Sequence, residues 1–109
     1  MGRYERKTEV KEDCGIEKTL QLISGKWKPA ILSELMRSST IRLKDVQKGL
    51  PEASKRSLTT QLGEMVTDDL LRKEVYEVYP KKTVYSLTEK GKALKEVFEE
   101  MNDYAKNFL

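Results

Sequence analysis

Apolar residues recur at helical spacing over most of the chain, which predicts a mainly helical fold. The first helix is expected to begin near Asp13, a suitable cap, and to end at Gly25. A second helix is expected after Trp27, because Pro29 is tolerated in a first helical turn. The apolar positions are Ile16, Leu20, Leu22 and Ile23 in the first helix and Ile31, Leu32, Leu35 and Met36 in the second.

Two more helices are predicted on either side of a tight turn at residues 49–51. Leu43, Val46 and Leu50 form the apolar side of the first, and the proline after Leu50 stops it. Ser54 can cap the second, which is expected to run to about Asp68. The residues just before this pair, 41–43, are too few for more than a small strand or a turn.

The pattern changes after Leu70, where β-branched and aromatic residues flank Pro80 and predict a two-stranded hairpin. Thr88 can cap a last helix that continues to the end of the chain. Gly91 in its first turns is unfavourable by up to about 1 kcal/mol, which indicates a close backbone contact there. This order of elements predicts a mainly α fold with a small β-hairpin, a winged helix-turn-helix.

Residue types limit the function classes. The 109 residues fit one domain, and one cysteine with no histidine leaves no multi-cysteine zinc site and no Ser/His/Asp or Cys/His catalytic set. No apolar run approaches the length of a membrane span. We therefore expect a cytoplasmic, non-enzymatic protein with no cofactor, no metal and no membrane contact. Residues 1–12 are expected to form a flexible charged arm, and residues 13–109 the folded domain.

The helix predicted from Ser54 to Asp68 has the features of a DNA-reading helix. At 100° per residue, Leu62 and Met65 lie within about 40° of Leu58, whereas Arg56 and Thr60 lie on the opposite, outward side. Arg56 can bind a guanine edge and hydroxyl groups can bond phosphates or bases in a major groove. Gln61, at the flank of this face, can contact adenine.

Basic residues are concentrated around this helix and at the tip of the hairpin. They outnumber acidic residues between Arg42 and Arg56, and this local surplus is better evidence for an anionic partner than the chain's net charge of +3. The predicted wing, about Tyr79 to Thr83, suits phosphate or minor-groove contact. The candidate DNA-binding residues are Arg42, Lys44, Ser54, Lys55, Arg56, Ser57, Thr60, Gln61, Lys81 and Lys82. The predicted partner is a double-stranded DNA operator; the alternative is a winged helix that serves only protein–protein contacts.

From Cys14 to about Met101 the chain resembles the HxlR-type winged-helix regulators. The resemblance is carried by Cys14, residues 23–27 (ISGKW), 31–35 (ILSEL), Arg42, Leu50-Pro51, Ser54, Leu58-Thr59, Leu62, Leu70, Arg72, residues 84–88 (VYSLT) and Gly91. It implies a dimeric transcription regulator of MarR-like architecture. Leu43 stands where the family usually has Phe, and Asp69 where it usually has Gly, so we expect a positive φ that Asp tolerates. Thr60 and Gln61 also differ from common family types, which implies a different operator.

The apolar stripe of the last helix is long for the surface that one small domain offers, which favours a homodimer over a helix that only caps its own domain. The first helix is the expected counterpart, and a two-fold dimer would place its reading helices about 34 Å apart. The candidate interface residues are Leu20, Ile23, Leu94, Val97, Phe98, Met101, Tyr104 and Phe108.

Cys14 has two interpretations. It lies at a predicted helix N-terminus near Lys11 and Lys18, an electropositive setting that favours the thiolate. The resemblance implies that a cysteine at this place can sense oxidants or electrophiles. The other interpretation is a small, half-buried hydrophobic residue. The sequence indicates no particular small-molecule effector.

Overall fold

A computed structural model describes residues 14–109, and it confirms the mainly helical winged helix-turn-helix. The expected arm at residues 1–12 and the expected cap at Asp13 lie outside the described residues. The elements in chain order are α1 (Gly15–Ile23), α2 (Lys28–Ser38), β1 (Thr40–Arg42), α3 (Leu43–Gly49), α4 (Lys55–Thr67), β2 (Leu71–Tyr76), β3 (Lys82–Leu87), α5 (Glu89–Lys92) and α6 (Leu94–Phe108).

The core lies where α2 and α4 meet the base of the sheet. Leu32, Leu58, Leu62 and Met65 have no exposed surface, and Ile31 and Leu35 of α2 are almost as buried. Burying each such side chain contributes about 1.5–3 kcal/mol relative to leaving it in water. The inward side of α4 is therefore fixed by the core, and its opposite side is left to solvent.

The sheet differs in two respects from the predicted hairpin. It has three antiparallel strands in the order β1-β3-β2, because the short segment before α3 pairs with β3, Ile41 opposite Tyr85. The first wing strand also starts earlier than the apolar pattern indicated, at Leu71, and ends before Val78 and Tyr79, which lie in the turn. From residue 72 onward β2 is exposed along its whole length, so alternation gives no signal for it.

Both ends of α4 are fixed as the sequence suggested. The Ser54 hydroxyl accepts a hydrogen bond from the Ser57 N–H at 3.0 Å, which satisfies one free donor of the first turn. At the other end Asp69 has φ 62°, and the following Leu70 N–H donates to the Met65 carbonyl at 2.9 Å. The expected positive φ at Asp69 is confirmed, and the chain turns there directly into β2.

The last helix is broken in two, whereas the sequence predicted one. The Thr88 hydroxyl caps α5 by accepting from the Gly91 N–H at 3.0 Å, and the Thr88 N–H donates to the Leu70 carbonyl at 3.1 Å. A Cβ added to Gly91 would lie 2.3 Å from that same carbonyl oxygen, so the close contact expected at this glycine is confirmed. These contacts fix α5 on the end of α4, and α6 begins anew after Ala93.

Candidate nucleic-acid interface

The outward side of α4 presents basic and hydroxyl groups to solvent. Lys55, Arg56 and Thr60 are exposed, Ser57 is half-buried, and the first turn contains no acidic residue. The exposed N-terminus of the helix carries a partial positive charge, which adds to that of the two basic side chains. The first turn of α4 is therefore the most electropositive part of this helix.

A shallow groove runs along this side of α4 and brings most of the predicted reading residues together. Its lining includes Ser54, Arg56, Ser57 and Thr60. It also includes Lys26, which comes from the loop between α1 and α2 and which sequence reasoning missed. The Lys26 Nζ lies 5.1 Å from the centroid of the Trp27 ring, a cation–π distance that holds this amine beside the groove.

Gln61, predicted to contact adenine from the flank of this face, lines the groove but is largely buried. Only 7% of Gln61 is exposed, and its Oε1 accepts a hydrogen bond from the backbone N–H of Trp27 at 2.9 Å. The physical reason lies in the helical geometry, because Gln61 is only about 60° from the inward direction of Leu58. Its amide thus satisfies a backbone donor of the α1–α2 loop.

A second polar contact joins the start of α2 to α4. Lys28 is completely buried, and its Nζ lies 2.5 Å from Oε1 of Glu64, whose side chain is 35% exposed. A buried ammonium group is tolerated only when it is paired, and Glu64 provides the opposite charge. Glu64 also lines the groove, and its pairing with Lys28 offsets its negative charge there.

The remaining predicted DNA-binding residues lie at the borders of this face. Arg42 ends β1 and immediately precedes α3, where it is half-buried, and Lys44 is exposed in the first turn of α3. Both lie at the start of the first helix of the helix-turn-helix pair, Arg42 at its N-cap position and Lys44 within it, rather than on the reading helix.

The wing places its basic residues at the end of the hairpin. Residues 77–81 connect the strands, Lys81 lies 3.7 Å from Glu77, and Lys82 begins β3 with its Nζ 5.1 Å from the centroid of Tyr76. Both lysines are exposed and can reach a phosphate by exchanging these weak surface contacts.

The predicted dimer residues separate into three groups: four are exposed on α6, two are half-buried at a cleft and two are covered within the protomer. Val97, Met101, Tyr104 and Phe108 are exposed at 38, 45, 61 and 73%, and the Tyr104 and Phe108 ring centroids are 5.1 Å apart. We name these four the α6 stripe. Leu20 and Phe98 are half-buried and line a cleft of about 580 Å³ between α1, α2 and α6.

Two of the predicted interface residues are largely covered within the protomer, although Ile23 also lines this cleft. Ile23 and Leu94 are 5 and 8% exposed within the hydrophobic core. Ile23 is the last residue of α1 and Leu94 the first of α6, so each anchors its helix to the core and offers little free apolar surface.

Cys14 has its thiol free and half-buried at the N-cap position of α1. Its carbonyl accepts from the Lys18 N–H at 3.1 Å, while its side chain makes no capping hydrogen bond. The expected neighbour Lys11 lies outside the described residues. Within residues 14–109 no cluster of three or more metal-ligating side chains occurs, and no helix is long and apolar enough to cross a membrane.

Comparisons with known proteins agree with this architecture. Residues 22–109 match the model of the HxlR-like helix-turn-helix family. The chain is 38% identical over 97 residues to the uncharacterized HTH-type transcriptional regulator YdeP of Bacillus subtilis (strain 168), covering 89% of this chain and 75% of YdeP. The redox regulator HypR in its reduced form is similar with a TM-score of 0.80 and 33% identity, over 86% of this chain and 92% of HypR. The reduced form of YodB from B. subtilis has a TM-score of 0.77 and 32% identity, over 87% and 93%.

Proposed function

The chain belongs to the HxlR-like helix-turn-helix family, whose members matched above are transcription regulators and not enzymes, and on that premise we propose that it binds a double-stranded DNA operator sequence-specifically as a homodimer. The observation that carries the proposal is the outward side of α4, where Lys55, Arg56 and Thr60 are exposed beside Lys26. That side is polar and basic, while the opposite side is completely buried.

In this proposal each basic group has its own role. Arg56 reaches a guanine edge in the major groove, where its guanidinium can form two parallel hydrogen bonds. Lys55, Lys26 and the Ser54 and Ser57 hydroxyls contact phosphates and fix the register of the helix on the duplex. Thr60 contacts a base edge or a thymine methyl group. The wing lysines contact phosphates or enter the adjacent minor groove.

The dimer rests on the α6 stripe and on the half-buried Leu20 and Phe98. This many exposed apolar side chains on one face favour contact with the same face of a second copy of the chain. A two-fold symmetric dimer would match a two-fold symmetric operator. The wing and α4 then occur twice, with the two reading helices about one turn of DNA apart.

A mobility-shift assay on the DNA upstream of the protein's own gene tests the proposal. We expect a retarded band at low salt and a loss of affinity of about 1–3 kcal/mol in Arg56→Ala, because a bidentate base contact disappears. Arg37→Ala, which removes an exposed arginine of α2, serves as the charge-matched control and should bind like the parent. If no band forms at low salt with any upstream fragment, the DNA-binding proposal is wrong and a protein–protein role takes its place.

We further propose that Cys14 makes this binding responsive to electrophiles or peroxides. The similarity to HypR, a redox regulator, supports this, as does the free thiol at the start of α1. A quinone would form a carbon–sulfur bond with the Cys14 thiolate, and the thiol proton would end on the ring oxygen of the resulting hydroquinone. A peroxide would yield the sulfenic acid, with water as the second product.

The redox proposal is tested by treating the parent and Cys14→Ser with p-benzoquinone or hydrogen peroxide before the DNA titration. We expect the parent's affinity to change and that of Cys14→Ser to stay constant. An equal response in both proteins would assign the effect to another residue.

A further inference from the structure

The loop residue Trp27 and Lys28, the first residue of α2, each make a polar contact with α4. The Trp27 N–H donates to Gln61, and the Lys28 ammonium pairs with Glu64 one helical turn further along α4. Residues 61 and 64 lie on the same side of α4 because they are three apart. We infer that Lys28 and Gln61 are positioning residues, which fix the direction of α4 relative to α1 and α2 and thereby set the spacing of the operator half-sites.

The chemistry of the two contacts explains why they position the helix. The apolar side chains beneath α4 determine which side of the helix faces inward, but the hydrophobic driving force itself has no preferred direction. The Trp27–Gln61 hydrogen bond requires a defined distance and angle, and the Lys28–Glu64 ion pair requires the two charged groups to stay close together. Because Lys28 is 0% exposed, rotation of α4 that separates it from Glu64 would leave a buried charge without a partner. The pair therefore restricts α4 to one orientation.

The consequence for DNA rests on the proposed function. In the proposed dimer α1 and α6 meet the partner, and α4 contacts DNA. Trp27 and Lys28 follow α1 closely in the chain, so their contacts with α4 connect the proposed dimer-forming part of the protomer to the reading helix. A loosened α4 would tolerate half-sites at several spacings, whereas a fixed α4 selects one.

The orientation of α4 can be measured without DNA. Ala30→Cys on α2 and Thr59→Cys on α4, both exposed, carry spin labels in a Cys14→Ser background, and pulsed dipolar spectroscopy gives their distance. Dilution with unlabelled protein restricts the signal to pairs within one protomer. The parent should give one narrow distribution. The paired apolar replacement Lys28→Met with Glu64→Leu should fold, because it leaves no unpaired charge, and should give a distribution at least about twice as wide.

Two further variants complete the measurement. Gln61→Leu removes only the acceptor for the Trp27 N–H, and it should also broaden the distance distribution. This variant provides the test if the paired replacement does not fold. Glu34→Gln removes the exposed ion pair with Arg37 on α2, which does not touch α4, and should leave the distribution narrow. Circular dichroism confirms that each variant is folded.

The DNA arm uses operators whose half-site spacing is lengthened or shortened by one and two base pairs. The parent should bind one spacing best, and the paired replacement should lose about tenfold in affinity for it and discriminate less between spacings. An unchanged distance distribution in both the paired replacement and Gln61→Leu overturns the positioning role. A broadened distribution with an unchanged spacing preference overturns its link to the operator. If even the parent binds no DNA, the proposed function fails, while the distance measurement still decides the positioning role.

Discussion

α4 and α6 are both amphipathic helices, but only α4 has its apolar side covered within the protomer. The inward residues Leu58, Leu62 and Met65 of α4 are 0% exposed, whereas α6 buries only Leu94 at its start and leaves the α6 stripe in solvent. A helix with its apolar side satisfied can offer its polar side to a polar partner. A helix with an open apolar side needs an apolar partner. The two helices therefore suit the two partners proposed above, DNA for α4 and a second copy of the chain for α6.

The largest effect, on stability, is expected from Leu62→Ala, which opens a cavity beneath α4. We expect the free energy of unfolding to fall by about 2–5 kcal/mol, since the side chain is completely buried and the core can collapse only partly around the gap. Urea denaturation followed by circular dichroism measures the loss. A loss below that of a surface substitution would mean that α4 is not anchored as described.

A smaller effect, on assembly, is expected from Tyr104→Asp in the α6 stripe. A carboxylate placed at an apolar interface should weaken dimerisation by about 2 kcal/mol or more, which is roughly 30-fold or more in dissociation constant. Sedimentation velocity over a concentration series measures it. Lys106→Ala, which changes an exposed residue elsewhere on α6, is the control and should keep the parent's association. A monomeric parent would contradict the interpretation of the stripe.

The amphipathic character of both helices could be predicted from the sequence. Leu58, Leu62 and Met65 repeat at helical spacing, and Ser54 is a cap residue next to them, so α4 could be predicted together with its inward and outward sides. The apolar residues of the α6 stripe also repeat at helical spacing, so the stripe could be predicted in the same way.

What the sequence could not show depends on contacts between distant residues. Gln61 and Lys28 have ordinary polar side chains, and nothing near them in the sequence indicates that they are buried. Their partners, Trp27 and Glu64 respectively, lie more than 30 positions away along the chain. The start of β2 was hidden because a wing strand exposed on both faces has no apolar alternation. The break at Ala93 depends on the tertiary contact of Gly91 with Leu70.

A graded effect on DNA binding is expected from the wing. The double replacement Lys81→Ala with Lys82→Ala should weaken binding about equally for operator and unrelated DNA, and should lower the slope of log affinity against log salt by roughly one for each lysine. Fluorescence anisotropy at several salt concentrations measures this slope, with Lys106→Ala as the control for charge. A selective loss for the operator alone would show that the wing reads bases.

The smallest effect is expected from Glu34→Gln at the exposed end of α2. Hydrogen bonds from Ser38 and Arg37, with the charge of Arg37, lower the pKa of Glu34. A lowered folded pKa adds stability above the unfolded pKa of about 4.3, and that stability is lost as the pH falls through the folded pKa. Because the group is exposed, we expect the melting temperature at pH 7 to change by no more than about 2 °C, measured by calorimetry. A large change in melting temperature would mean that the exposed Glu34–Arg37 pair stabilises the fold far more than surface ion pairs usually do.

Hydroxyl-radical footprinting of the parent protein on an operator fragment decides whether two copies of α4, held by a dimer, enter successive major grooves of one operator. We expect two protected patches on one face of the duplex, with centres about 10–10.5 base pairs or a multiple of that apart. A single patch, or uniform cleavage without protection at low salt, would contradict this arrangement.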